Sequence, residues 1–408
     1  MNGHASPVSS TVLRLAPPGR SIGIDAARGI ALFGMIATHV MPLSGAAGDP
    51  VFPAVIAGRA AALFAVLAGV STVLSTRRVL EAPGARGWTA AAAGLGVRGV
   101  FIALIGLLLG SLPSGIAIIL VNYGAMFVLA VPLLRAPTWL LGVLAPVWLA
   151  AAPVLSFAIR RAWGLSPAYD VPSLATAVDL PRLAQALVLT GYYPVLQWMG
   201  YVVLGMFVAR LDWHSVRRAL GLAAAGGACA VLALSASSLL LSAGGRTALE
   251  IATAQRPDAL RQAPGETSYG ITPTDTWWWL TIAGPHSGTP FDMVSTAGIA
   301  VAVLGGCGAA ALAIEQRWGR TGLAWCAPLS APGSMPLSIY TAHVVLVSLT
   351  ADLFCPARAL GDGAEFALHA CLFVLAAVVW KALIGARGPL EAVVSASVRG
   401  ASRFALTR

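Results

Sequence analysis

An apolar run of Ile, Gly, Ala, Leu, Phe and Met from Ile22 to Val40 is interrupted by Asp25, Arg28 and His39, and these three residues constrain the chain most. On a helix turning 100° per residue, Arg28 lies about 60° and His39 about 40° from Asp25, on the same side. Ser21 falls in the same arc. A charge inside a bilayer costs several kcal/mol unless it is paired or faces a wet cavity, so this stripe has to face protein, and an ionisable residue at such a place reads first as functional.

The rest of the chain places that helix in a membrane. Of 408 residues, 58% are hydrophobic and 10% charged, far from the roughly one quarter charged residues of a soluble domain. Apolar runs long enough to span recur throughout. They predict an all-α polytopic helical bundle of about ten transmembrane helices, near 22–41, 54–75, 93–111, 114–134, 138–158, 184–209, 217–241, 290–313, 334–351 and 365–385. Most of the 26 basic residues, among them Arg77, Arg78, Arg217, Arg218, Arg317, Lys381, Arg399 and Arg403, then fall on one side. The positive-inside rule makes that side cytoplasmic, with both termini on it. The same distribution accounts for the net charge of +10 without nucleic acid as a partner. The reading is of a tail over 1–20, one transmembrane domain over 21–388 and a basic tail over 389–408, in the plasma or inner membrane. The loop near 242–289 has room only for a small cap, and a homodimer is left open.

Further polar residues gather toward the outer side or mid-membrane: His39, Arg59, His286, Asp292, Tyr340 and His343. Asp25 and Arg28 lie about 20 Å deeper, from ~1.5 Å rise per residue. A polar path across the membrane joins them most simply. Each has a structural alternative. Asp25 and Arg28 at i,i+3 make an ion pair that can fasten helices. Thr289, Pro290 and Asp292 form a helix start in which the hydroxyl caps and the carboxylate returns to the cap. His286 is spare in that cap and sits beside a helix N-terminus, where anions are favoured. His343 can bond across to a neighbouring helix. Arg59 reads as a cavity residue or the partner of Asp49. Tyr192, Tyr193, Trp198 and Tyr201 read as an aromatic belt, with Trp277, Trp278 and Trp279 a similar feature. His4, His214 and His369 attract no role. The scattered Cys229, Cys307, Cys326, Cys355 and Cys371 read as apolar packers, and no spacing implies a metal.

The segment from Arg20 to Ala31, Arg-Ser-Ile-Gly-Ile-Asp-Ala-Ala-Arg-Gly-Ile-Ala, resembles the opening of the transmembrane acyltransferase superfamily. That group includes heparan-α-glucosaminide N-acetyltransferase-like proteins, the DUF418 bacterial membrane proteins and the acyltransferase-3 O-acetylases. Leu63 to Val70 resembles their second helix, and Pro285 to Pro290 and Pro336 to His343 resemble two late segments of the bacterial branch. In the O-acetylases a histidine stands at the outer end of the first helix, as His39 does, whereas the lysosomal branch places its reactive histidine a few residues further on.

The resemblance implies an integral membrane acyltransferase. An acetyl or other acyl group moves from cytosolic acyl-CoA to an outer-face acceptor: a sugar, a lipid or a small molecule. A neutral imidazole can take the acceptor's proton near neutral pH. His39 is the expected base or acyl carrier, with His286 and His343 as further catalytic residues beside Tyr340. Arg28, held by Asp25, is expected to draw in the donor's phosphate or thioester end, and Arg59 and Asp292 complete the binding groups. Acyl-CoA is the donor and no metal is expected. Two other readings stand: a transporter or flippase of a small anionic or lipidic substrate along the same path, and a non-catalytic scaffold.

Overall fold

A computed structural model describes residues 7–43, 52–255, 268–353 and 362–407. Asp49, Cys355 and His4 lie outside them. The described residues are helical without a strand. In chain order the α-helices are α1 (Pro7–Leu15), α2 (Ile22–Val40), α3 (Phe52–Ile56), α4 (Arg59–Leu80), α5 (Gly84–Gly110), α6 (Leu120–Leu129), α7 (Thr138–Trp163) and α8 (Leu180–Gln185). They continue as α9 (Val195–Val208), α10 (Val216–Leu240), α11 (Arg246–Ala254), α12 (Pro290–Ala324), α13 (Ala327–Ser334), α14 (Pro336–Leu353), α15 (Asp362–Leu383) and α16 (Pro389–Thr407).

Among the described residues, six helices are long and apolar enough to cross a membrane, or up to eight if each of two bent pairs is one span. These six include α5, α7 and α12 but not α2, whose Asp25, Arg28 and His39 lower its hydropathy. Three expected spans are shaped differently from a plain helix. The stretch 114–134 holds only the ten-residue α6 and a 3-10 turn, Val131–Arg135, because Pro113 and Gly115 delay the helix start. The stretch 184–209 breaks before Pro194, and the two arms meet at 57°. The ninth span, α14, is preceded by α13 at 87°, with Pro332 inside the last turn of α13 and Pro336 restarting the helix. The tails are helical as well, in α1 and α16, each with a short amphipathic pattern that the sequence reading left as tail.

The chain forms two compact units. The first comprises 1–56, 212–225 and 300–396, and the second 57–211, 226–299 and 397–408. In the first unit α2 packs against α13 at backbone contact distance. A Cβ on Gly29 would overlap the Leu329 carbonyl, and one on Gly333 the Asp25 carbonyl. Small residues let helices approach this closely where lipid supplies no hydrophobic drive. In the second unit α4 and α9 are built alike: Gly69 meets the Val202 carbonyl and Gly205 that of Val66. Arg210 closes this unit's α6 end by donating to the carbonyls of Leu133 (3.3 Å), Leu134 (2.9 Å) and Ala136.

Candidate active site

The first unit holds two polar groups, one near each end of α2. At its N-terminal end Asp25 is buried, and its carboxylate accepts from two guanidinium groups. Arg20 donates through Nε to Oδ2 and through Nη2 to Oδ1 (3.2 Å), and Arg28 donates through Nη1 to Oδ1 at 2.9 Å. This forked arrangement is the strong form of a carboxylate pair. Arg20 is held in turn by the carbonyls of Ala386 (3.0 Å) and Ser334 (3.2 Å). Lys381 of α15 is fully buried within electrostatic reach of Asp25 and Arg20, and its Nζ finds no hydrogen-bond partner among the described residues. Glu391, at the start of α16, accepts from the backbone N–H groups of Leu337 (2.7 Å) and Ser338 (3.1 Å) and from the Ser338 hydroxyl (2.5 Å). It therefore caps α14, and it also adds a negative charge felt by Arg28.

At the other end of α2, His39 Nδ1 lies 3.2 Å from His343 Nε2 of α14. His39 is half-buried and His343 fully buried. A third imidazole follows: His369 of α15, buried, with its ring centroid 5.4 Å from that of His343. Tyr340, one turn before His343, is buried in the same unit. His369 had attracted no role in sequence. It stands 26 positions after His343 in the chain, so no local spacing links them.

The second unit contains the remaining candidates. Thr289 caps α12, its hydroxyl accepting from the Asp292 N–H at 3.1 Å and donating to the Ile282 carbonyl at 2.5 Å. The Asp292 carboxylate accepts from Gly288 N–H at 3.0 Å, one residue ahead of the cap to which it was expected to return. Arg59, at the start of α4, lies within electrostatic reach of Asp292. His286 has a left-handed backbone (φ 55°), the one non-glycine residue with positive φ among those described. Its ring is enclosed by Tyr192 (centroids 4.6 Å apart), Tyr193 (5.8 Å) and Trp198 (6.4 Å). Tyr193, Trp198 and Tyr201 are buried, so they line this recess and form no aromatic belt. Burial raises the phenol pKa of Tyr269, which packs edge-on against Tyr192 in the same unit. Of the tryptophan run, Trp279 is fully buried and donates to Asp275 at 2.9 Å, while Trp277 stays half-exposed against Phe157.

The structure thus pairs Asp25 with Arg28 and His39 with His343, all in the first unit, and places His286, Asp292 and Arg59 in the second. The sequence reading missed Arg20, Lys381 and Glu391 at the charged group and His369 beside the histidine pair. Lys381 was counted there as cytoplasmic positive charge, and Arg20 stood at the head of the segment that carries the family resemblance. Among the described residues no cluster of His, Cys, Asp or Glu is arranged to hold a metal ion.

No relative was found among curated proteins. Residues 20–257 match the heparan-alpha-glucosaminide N-acetyltransferase, catalytic family. The match takes in Asp25, Arg28, His39 and Arg59, while His286, Asp292, Tyr340, His343 and Lys381 follow it. Because the match covers more than half of the chain, this protein belongs to the heparan-alpha-glucosaminide N-acetyltransferase catalytic family, a family of membrane acetyltransferases.

Proposed function

We propose that the protein transfers an acetyl or other acyl group from acyl-CoA, arriving from the cytoplasm, to a hydroxyl or amine acceptor at the outer face. In this reading the membrane is crossed about ten times, α2 and the short α6 adding to the six long helices and two bent pairs, with both termini cytoplasmic. The observation that carries the proposal is the division of α2 within one unit of an acetyltransferase-family chain. Its N-terminal end holds three cations, Arg20, Arg28 and Lys381, around Asp25, and its C-terminal end holds a histidine pair.

The charged end suits the donor. A buried ammonium without a partner is costly, and an anion arriving beside it removes that cost. Lys381 and the two arginines therefore bind the phosphate groups of acyl-CoA, and Asp25 keeps the guanidinium groups in place until they do. The histidine end suits the chemistry. His39 is the one ring of the pair that is not fully buried, which leaves its Nε2 side for the acceptor. It takes the acceptor's proton as the new acyl–O or acyl–N bond forms and the acyl–S bond breaks, and the proton leaves on the CoA sulfur. His343 supports it. Tyr340, one turn away, is a donor for the oxyanion. His286, Asp292 and Arg59, in the second unit, form a separate polar group whose aromatic rings and carboxylate suit a polar ring or an amine.

The test is acyl-CoA turnover by protein purified into nanodiscs, wild type beside His39→Ala. It follows radiolabelled acyl transfer into a membrane or sugar extract together with release of free CoA. Turnover lost in the variant is the expected result. Transfer that survives His39→Ala removes His39 as the base, and substrate movement without CoA release replaces this reading with a transporter.

A further inference from the structure

Three imidazoles stand in a row on α2, α14 and α15, and their hydrogen bonds restrict where each carries its proton. His369 Nδ1 is 3.0 Å from the Glu365 carbonyl, which can only accept, so this nitrogen bears the hydrogen. One hydrogen lies between His39 Nδ1 and His343 Nε2, 3.2 Å apart. The choice of its owner falls to His343 Nδ1, which is buried and without a hydrogen-bond partner among the described residues. The rings of His369 and Phe373 stand at 85° and 82° to the His343 ring, with centroids 5.4 Å and 6.2 Å away. Perpendicular rings suit an N–H edge set against a π face, a weak hydrogen bond that a bare lone pair at Nδ1 does not make. With its hydrogen on Nδ1, His343 has a lone pair on Nε2 and accepts from His39.

We propose that His343 is a positioning residue that holds His39 as its Nδ1–H tautomer, leaving the His39 Nε2 lone pair for a substrate proton, and that His369 holds His343 in place. In serine hydrolases a buried carboxylate orients the catalytic imidazole in this way. Here a neutral imidazole does so without taking another charge into the membrane, where an unpaired carboxylate is costly. The His369 ring stacks on Phe373 at 20° and is tied to Glu365, so the ring that fences His343 is fixed by its own helix. The consequence for catalysis rests on the acyltransferase reading. The tautomer itself does not.

The experiment is solid-state NMR of the full chain in nanodiscs, with 15N- and 13C-labelled histidine and the His39 signals assigned by their loss in His39→Asn. Wild type is expected to show His39 with a protonated Nδ1 and a bare Nε2. In His343→Phe, which keeps the ring volume and removes the acceptor, His39 reverts to the Nε2–H form that free histidine prefers. His343→Gln, whose amide oxygen can accept, restores the Nδ1–H form. His369→Phe broadens or mixes the two forms of His39. An Nε2–H His39 in wild type overturns the assignment, whether or not the variants fold, and so does a His39 signal that His343→Phe leaves unmoved. Turnover measured on the same samples separates the two claims. On the acyltransferase reading, His343→Phe lowers kcat at least tenfold with KM for acyl-CoA unchanged, and His343→Gln recovers part of it. A wild type with the expected tautomer and no acyl transfer keeps the positioning role and removes the acyltransferase reading.

Discussion

Asp25 and Asp292 are both buried carboxylates in the first turn of a long helix, one in each unit, and they are neutralised by different means. Asp292 is held by its own helix start: it accepts from Gly288 N–H, while its own N–H donates to the Thr289 hydroxyl, and Arg59 alone among the cations named lies within its electrostatic reach. Asp25 accepts no such cap, and its partners are Arg20 and Arg28, with Lys381 in electrostatic reach. A cap satisfies a helix terminus and needs nothing more. A carboxylate among three cations leaves positive charge over, which is a reason to expect an anionic ligand at the first site and none at Asp292. The same contrast separates the arginines. Arg210 of the second unit donates to three backbone carbonyls at the end of a helix, whereas Arg28 donates to the Asp25 carboxylate beside a lysine whose Nζ has no hydrogen-bond partner among the described residues.

This difference is open to breaking. The largest effect is expected from Asp25→Ala, which strips two half-buried guanidinium groups of the carboxylate they share, leaves the buried Lys381 beside them, and costs about 3–5 kcal/mol. It should show as a large fall in thermal unfolding temperature or a failure to accumulate folded protein. Asp292→Ala removes a buried acceptor from one backbone N–H and should cost about 1–3 kcal/mol by the same measurement. Equal losses at the two carboxylates would erase the distinction drawn here.

Lys381→Met sharpens it further. Removing a buried ammonium that has no hydrogen-bond partner among the described residues is expected to raise stability by about 1 kcal/mol, as replacement of buried charge by apolar volume often does. The same variant should weaken acyl-CoA binding about tenfold, the factor that ~1.4 kcal/mol of lost interaction gives. A fall in stability with unchanged donor affinity would make Lys381 a structural residue. Smallest of all is Asp212→Asn. Asp212 meets His214 at 3.1 Å and also pairs with Arg218, all three side chains more than half exposed, and its removal should leave the thermal unfolding temperature unchanged, because solvent screens such exposed pairs.

Whatever depends on neighbours within one helical turn was legible in the sequence. The Asp25–Arg28 pair follows from i,i+3 spacing, and the Thr289–Asp292 start from capping chemistry, though the carboxylate settles on Gly288. The apolar runs located the long helices, but the breaks before Leu120, Val195 and Pro336 depend on proline and glycine placement that hydropathy averages away. What was not legible is tertiary. Lys381 reaches Asp25, and His369 reaches His343, only because α15 folds back beside α2 and α14, and neither pair has a sequence signature. Arg20 was visible as charge but lies outside the helix, beyond reach of a periodicity argument. Tyr193, Trp198 and Tyr201 were misread because an aromatic residue near a helix end looks the same facing lipid or facing His286.

The central claim is that the two ends of α2 do different jobs, binding at the charged end and proton transfer at the histidine end. Steady-state kinetics with radiolabelled acetyl-CoA on wild type, Arg28→Gln and His39→Gln in nanodiscs test it most directly. The account predicts that Arg28→Gln raises KM for acetyl-CoA roughly tenfold with kcat nearly unchanged, the loss of one charge-assisted contact. His39→Gln should lower kcat by about 10²–10⁴ with KM held, the usual worth of a positioned general base. Both substitutions acting on the same parameter, or His39→Gln leaving kcat intact, would contradict it.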